Sequence, residues 1–147
     1  MPRPPVYADT SFLVSHLIVD ANTESARKLI RTLRTPLMIS PLGRLEFQTA
    51  MWQRVGRGEF EPSHARRAVA EFLRQEAKGW FVMPKVQEDA VWKRAAWLTE
   101  TYTADLKLRS LHLWHVGFAL ESGACGFWTF DERQSAVATA VGLEVNP

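Results

Sequence analysis

A chain of 147 residues with 46% hydrophobic side chains has the size and apolar content of one globular domain, residues 1–147, with a substantial core. Its 18 basic and 16 acidic residues leave a net charge of +2, which is too near balance to mark a nucleic-acid binder by charge alone. The lone Cys125 excludes an internal disulfide and reads as a small buried residue in a reducing compartment. No signal-like apolar run follows Arg3, and no stretch approaches the roughly 20 apolar residues of a membrane span, so a cytoplasmic location without a membrane partner is expected.

Pro4 and Pro5 open a short apolar strand, Val6 to Ala8, and Asp9-Thr10-Ser11 separates it from a helix over Phe12 to Ile18. Thr23 leads a second helix to about Arg34, with Ala26, Leu29, Ile30 and Leu33 on one face and basic residues elsewhere. Leu37-Met38-Ile39 is a strand ended by Ser40-Pro41, where Ser40 caps a helix and Pro41 takes its first position. That helix runs to about Val55. Ser63 to Lys78 repeats apolar residues at helical spacing until Gly79 stops it, and Trp80 to Met83 is the third strand. Helices follow over Val86 to Tyr102 and Leu108 to Glu121, the latter closed by Gly123. Cys125 to Phe130 is a fourth strand, Glu132 to Val141 a helix, and Leu143-Glu144-Val145 a fifth strand. Strands this apolar, alternating with helices, predict a parallel sheet covered on both faces, in the α/β class. Core packing is the default expectation for most of Trp52, Trp80, Trp92, Trp97 and Trp114, and one exposed on a helix would instead mark a partner surface.

Ligand crevices in such sheets lie beyond the carboxyl ends of the strands. Asp9 and Asp131 both fall there, and Glu46, in the helix after the second strand, shares a side with Leu42 and Ala50 and points along the sheet edge. Each acid has a plain alternative. Asp9 and Asp131 can cap helices, with Gln134 reaching back in a capping box, and Glu46 can be a solvated helix residue. Together, however, three acids at one edge repel one another unless a cation or protons compensate, and all-oxygen ligation suits Mg²⁺ or Mn²⁺. The chemistry that follows is phosphodiester hydrolysis, in which the metal supplies a hydroxide-like nucleophile. Thr10 and Ser11 can orient a water or phosphate oxygen, or simply start the helix.

These residues carry a resemblance to the PIN-domain family, and within it to the small VapC-like toxin ribonucleases. It covers nearly the whole chain through Tyr7-Ala8-Asp9-Thr10-Ser11, Leu45-Glu46-Phe47, Leu108-Arg109-Ser110-Leu111 with Leu113 and His115, and Thr129-Phe130-Asp131-Glu132-Arg133-Gln134. The resemblance implies a three-layer α/β/α fold with a parallel sheet of about five strands and a Mg²⁺ or Mn²⁺ site. It also implies cleavage of single-stranded or loop RNA, a homodimer and a small VapB-like antitoxin. The family's first acid falls on Asp9, its second on Glu46 and its last on Asp131. Its third acid, an Asp three residues before a helix histidine, is here His112, ahead of His115.

That departure removes a charge from the expected pocket. His112 can ligate a softer ion with His115, act as a general acid or base or hold a phosphate when protonated, or sit as an ordinary polar residue in a disabled site. Phosphate binding needs cations nearby. Arg44 and Arg109 flank the acids, with Arg54, Arg57 and Lys107 further off. The resemblance thus predicts an endoribonuclease using Asp9, Glu46, His112 and Asp131; the rival is a catalytically inactive module of the same fold that binds RNA or an antitoxin.

Overall fold

The computed structural model describes residues 4–147, so Arg3 lies outside the described residues. In chain order the elements are β1 (Val6–Ala8), α1 (Thr10–Leu17), α2 (Thr23–Ile30), β2 (Leu37–Met38), α3 (Pro41–Gly56), α4 (Pro62–Ala77) and β3 (Phe81–Val82). They continue as α5 (Glu88–Leu106), α6 (Ser110–Glu121), β4 (Gly126–Trp128), α7 (Glu132–Ala140) and β5 (Glu144–Asn146). All pairings are parallel, in the order β3-β2-β1-β4-β5. The chain therefore winds outward from β1 in one direction and restarts beside it with β4, which makes the β1–β4 seam the switch point of the sheet.

Alternation along the strands builds the three layers. Tyr7 and Phe127 pair in register and join Leu98, Leu113, Phe118 and Val137 under α5, α6 and α7. Their neighbours Ala8 and Trp128 also pair, but on the other face, with Phe12, Phe47 and Phe72 from α1, α3 and α4. A one-residue slip of β1 would exchange these sets, so the register is fixed by both cores at once. The α5–α6 contact depends on Gly117, where an added Cβ would stand 3.3 Å from the Val91 carbonyl oxygen.

The expected elements are all present, with shifted ends. The second helix stops at Ile30 because Thr32 bonds back to the Leu29 carbonyl through both its hydroxyl and its N–H, leaving a turn in place of another helical repeat. Two burial expectations fail. Cys125 is exposed just ahead of β4. Most of five tryptophans were expected in the core, yet only Trp114 of them is buried; Trp52, Trp80, Trp92 and Trp97 are exposed. Cations cover three of these rings, with Arg66 over Trp52, Lys78 over Trp80 and Arg94 over Trp97, so their faces are occupied without being buried. Among the described residues no helix is long and apolar enough to cross a membrane.

Candidate active site

Parallel strands followed by helices bring helix N-termini to one end of the sheet, where backbone N–H groups are unspent. Asp9, directly after β1, caps α1 by accepting the Phe12 N–H at 3.0 Å. Its carboxylate also accepts the Ser11 hydroxyl at 2.7 Å and the Thr129 hydroxyl at 2.6 Å, and the residue has no exposed surface. Burial pushes this carboxyl above the ordinary range, while the nearby His115, the two hydroxyls and the Phe12 N–H pull against it. Thr129 then accepts the Asp131 N–H at 2.9 Å, and Ser11 accepts that of Phe130 at 2.9 Å. The β1–α1 and β4–α7 junctions, about 120 residues apart in sequence, are thereby stitched into one unit.

Glu46 is held differently. His115 Nε2 lies 2.5 Å from its Oε1, which also accepts the Thr10 hydroxyl at 2.8 Å. An ionised carboxylate can only accept, so Nε2 carries the proton. On the other side of the ring, Nδ1 stands 2.6 Å from the Tyr7 hydroxyl, which is 2.8 Å from that of Ser40, and Ser40 accepts the Gly43 N–H at 3.0 Å. One assignment satisfies every group with a neutral imidazole: Gly43 donates to Ser40, Ser40 to Tyr7, Tyr7 to His115 and His115 to Glu46. Burial opposes ionisation of Glu46, but His115, Thr10 and His112 together hold its carboxyl below the ordinary value. Burial likewise drives the Tyr7 hydroxyl well above its ordinary range, so it remains a donor.

The third element is the start of α6. His112 Nδ1 accepts the Arg109 N–H at 3.2 Å, which uses the ring's one lone pair, and its Nε2 faces Asp131 Oδ2 at 3.5 Å. In this arrangement His112 turns an N–H, and not a free lone pair, toward the acid. Asp131 caps α7 through the Gln134 N–H at 2.9 Å, but Gln134 Oε1 is buried without a partner, so the reciprocal half of the capping box is not made.

Glu46, Asp131, His112, His115, Thr10 and Arg109 line a common cleft of about 450 Å³. Asp9 is not on its wall; it lies beneath, tied to Asp131 through Thr129. Thr10 and Ser11 spend their hydroxyls on the acids. Arg109 is exposed at the cleft, whereas Arg44 is paired with Glu76 and lines a different one. Sequence reading missed Tyr7, Ser40 and Thr129 as parts of the site. Only the Tyr7-Ala8-Asp9 and Thr129-Phe130-Asp131 strings hinted at them.

Among the described residues, no three His, Cys, Asp or Glu side chains stand together as a ready-made metal cage. Mg²⁺ seldom requires one, because it keeps several waters and is held by one or two carboxylates plus phosphate oxygens. Glu46 Oε2 and Asp131 Oδ2 accept no backbone hydrogen bond among the described residues, and both side chains are about one-third exposed, at 30% and 32%. The donor set fits a hard cation of that kind.

No protein-family description matches the chain, and no curated protein matches it in sequence. Solved structures do. VapC20 of Mycobacterium tuberculosis, a sarcin–ricin loop cleaving toxin, superposes with a TM-score of 0.70 at 22% identity, over 97% of this chain and 99% of that one. The fold is the VapC-like PIN fold. PAE2754 from Pyrobaculum aerophilum is similar with a TM-score of 0.63 at 17% identity, over 97% of this chain and 89% of that one. Within the PIN fold, the acidic cleft lies at the β1–β4 switch point.

Proposed function

We propose that the chain, a single PIN-like domain over residues 1–147, is a VapC-like, Mg²⁺- or Mn²⁺-dependent endoribonuclease that cuts single-stranded or loop RNA. The observation that carries this reading is the convergence of Glu46 and Asp131, from separate elements, on one cleft that also holds Arg109 and His112. Glu46 and Asp131 would hold the cation, with Asp9 fixing the Asp131 junction from below. When bound, the metal supplies a water of lowered pKa and neutralises charge on the phosphate. Arg109 offers the guanidinium that binds phosphate, and Thr10 with His115 fixes the Glu46 carboxylate at one oxygen. His112 presents an N–H beside Asp131, where it can donate to a phosphate oxygen. The fold likeness to a sarcin–ricin loop cleaving toxin supports a loop RNA as substrate, and a small VapB-like antitoxin, a homodimer and a cytoplasmic location belong to the same proposal.

His112 in place of an acid favours a second reading, an inactive module that binds RNA or an antitoxin. The two part on cleavage of a panel of stem–loop RNAs, a sarcin–ricin loop included. Cutting that requires Mg²⁺ or Mn²⁺ and vanishes in Glu46→Gln supports the nuclease; no cutting at any metal excess supports the module.

A further inference from the structure

By composition alone, His112, His115, Glu46 and Asp131 on one cleft are donors that zinc takes as readily as magnesium takes the acids. The direction in which each ring is wired decides what they can offer. A histidine that ligates a metal through one nitrogen almost always donates its other ring N–H to a carboxylate or a carbonyl, which leaves a lone pair facing the ion. Both rings here are wired in the opposite sense. His112 Nδ1 faces the Arg109 N–H at 3.2 Å, and a backbone N–H can only donate, so that ring carries its proton on Nε2, toward Asp131.

His115 reaches the same state through side chains. The Gly43 N–H sets the polarity of the row, because it points at Ser40 Oγ, whose only other partner among the described residues is the Tyr7 hydroxyl. With the opposite tautomer, His115 Nδ1–H would donate to Tyr7 and Tyr7 to Ser40. The Ser40 hydroxyl proton would then have no acceptor, on a residue with no exposed surface. An orphaned buried donor costs more than one hydrogen bond contributes, so the row runs toward the ring. Glu46 closes the far end by accepting from Nε2. Tyr7 is itself fully buried, and no water can take over its part.

We propose that Tyr7 is a positioning residue that acts through His115 to withhold nitrogen ligation from the cation, so that carboxylate oxygens and water hold it and zinc draws no advantage from the two imidazoles. The inference rests on the reading of Glu46 and Asp131 as metal ligands, and the experiment keeps the two apart. Long-range 15N–1H spectra of the metal-free protein read the ring tautomers directly. A protonated Nε2 and a bare Nδ1 are expected at both His112 and His115, and the pattern should persist when Zn²⁺ is added. An Nδ1–H tautomer at His115, or its ligation of Zn²⁺ through Nε2, overturns the proposal. This measurement needs no variant. Calorimetric titrations with Mn²⁺ and Zn²⁺ then compare the unsubstituted protein with Tyr7→Phe, thermal melts establishing that the variant is folded. Without the hydroxyl, nothing in the row opposes a turn of the His115 lone pair to the cleft, and the ratio of Zn²⁺ to Mn²⁺ affinity should rise about tenfold, the scale on which such partners of metal-site histidines act. A merely structural role for Tyr7 would weaken both ions alike; an unchanged ratio overturns the proposal. Glu46→Gln separates the two readings. If Mn²⁺ binding depends on Glu46 and the ratio does not move, the proposal alone fails. If Mn²⁺ does not bind, or binds equally well to Glu46→Gln, the metal-ligand reading fails and the proposal with it.

Discussion

Helix α1 joins two opposite environments. At its start Asp9 meets three hydrogen-bond donors, although it has no exposed surface. At its end His16 is partly buried with only the Gln75 amide oxygen at 3.2 Å, and its Nδ1 has no partner. Burial lowers the His16 pKa, and Arg27 adds to this, while the Gln75 bond and Glu71 oppose it. The contrast follows from topology. Where parallel strands end, helices begin, so N–H groups and positive dipole ends gather and an anion can be housed. Where the strands start, helices terminate and no such donors gather; a helix end of that polarity suits a cation, but burial disfavours the protonated His16. Burial works against the charged form at both poles, and only at the first do three donors answer it.

The largest test of this contrast is Asp9→Ala. It removes a helix cap and the acceptor to which the Ser11 and Thr129 hydroxyls donate, and should cost about 2–4 kcal/mol in urea denaturation together with any cleavage activity. A loss below about 1 kcal/mol would reduce Asp9 to an ordinary cap. Tyr7→Phe comes next. It leaves His115 Nδ1 and Ser40 short of a partner, for an expected loss of about 1–2 kcal/mol by the same measurement. An unchanged stability would mean that the Ser40–Tyr7–His115 chain contributes nothing to holding Glu46.

His112→Asp restores a carboxylate opposite Asp131. Calorimetric titration should show Mg²⁺ binding strengthened about tenfold, equivalent to ~1.4 kcal/mol, with faster metal-dependent cleavage. Equal binding before and after would place the ion elsewhere. The smallest effect belongs to the opposite pole. Because the folded-state pKa of His16 is depressed, the unfolded chain takes up its proton first as pH falls below about 6.5. His16 therefore contributes stability that is complete above that value and is lost as pH falls through the lowered folded pKa. Urea midpoints between pH 7 and 5 should decline less in His16→Gln than in the unsubstituted protein; parallel declines would show that His16 is not desolvated.

Local pattern made much of this legible. Alternation, caps and Gly or Pro stops located every strand and helix, and the acids following β1 and β4 could be assigned to one edge once the sheet was read as parallel. Side-chain partners were not legible, because they depend on tertiary approach. Tyr7 and His115 are 108 residues apart and share no local pattern. Arg44 stands beside Glu46 in sequence, yet its partner is Glu76 on α4. Trp80 looks like a core strand residue until Lys78 folds over its exposed ring.

The seam between β1 and β4 also sets a timetable for synthesis. Asp9 and Glu46 emerge from the ribosome early, but the Thr129 and Asp131 contacts that complete their surroundings come from a segment translated more than eighty residues after Glu46. A nascent chain halted before β4 would lack the Asp131 side of the cleft, and on the proposed ribonuclease reading could not yet cut RNA.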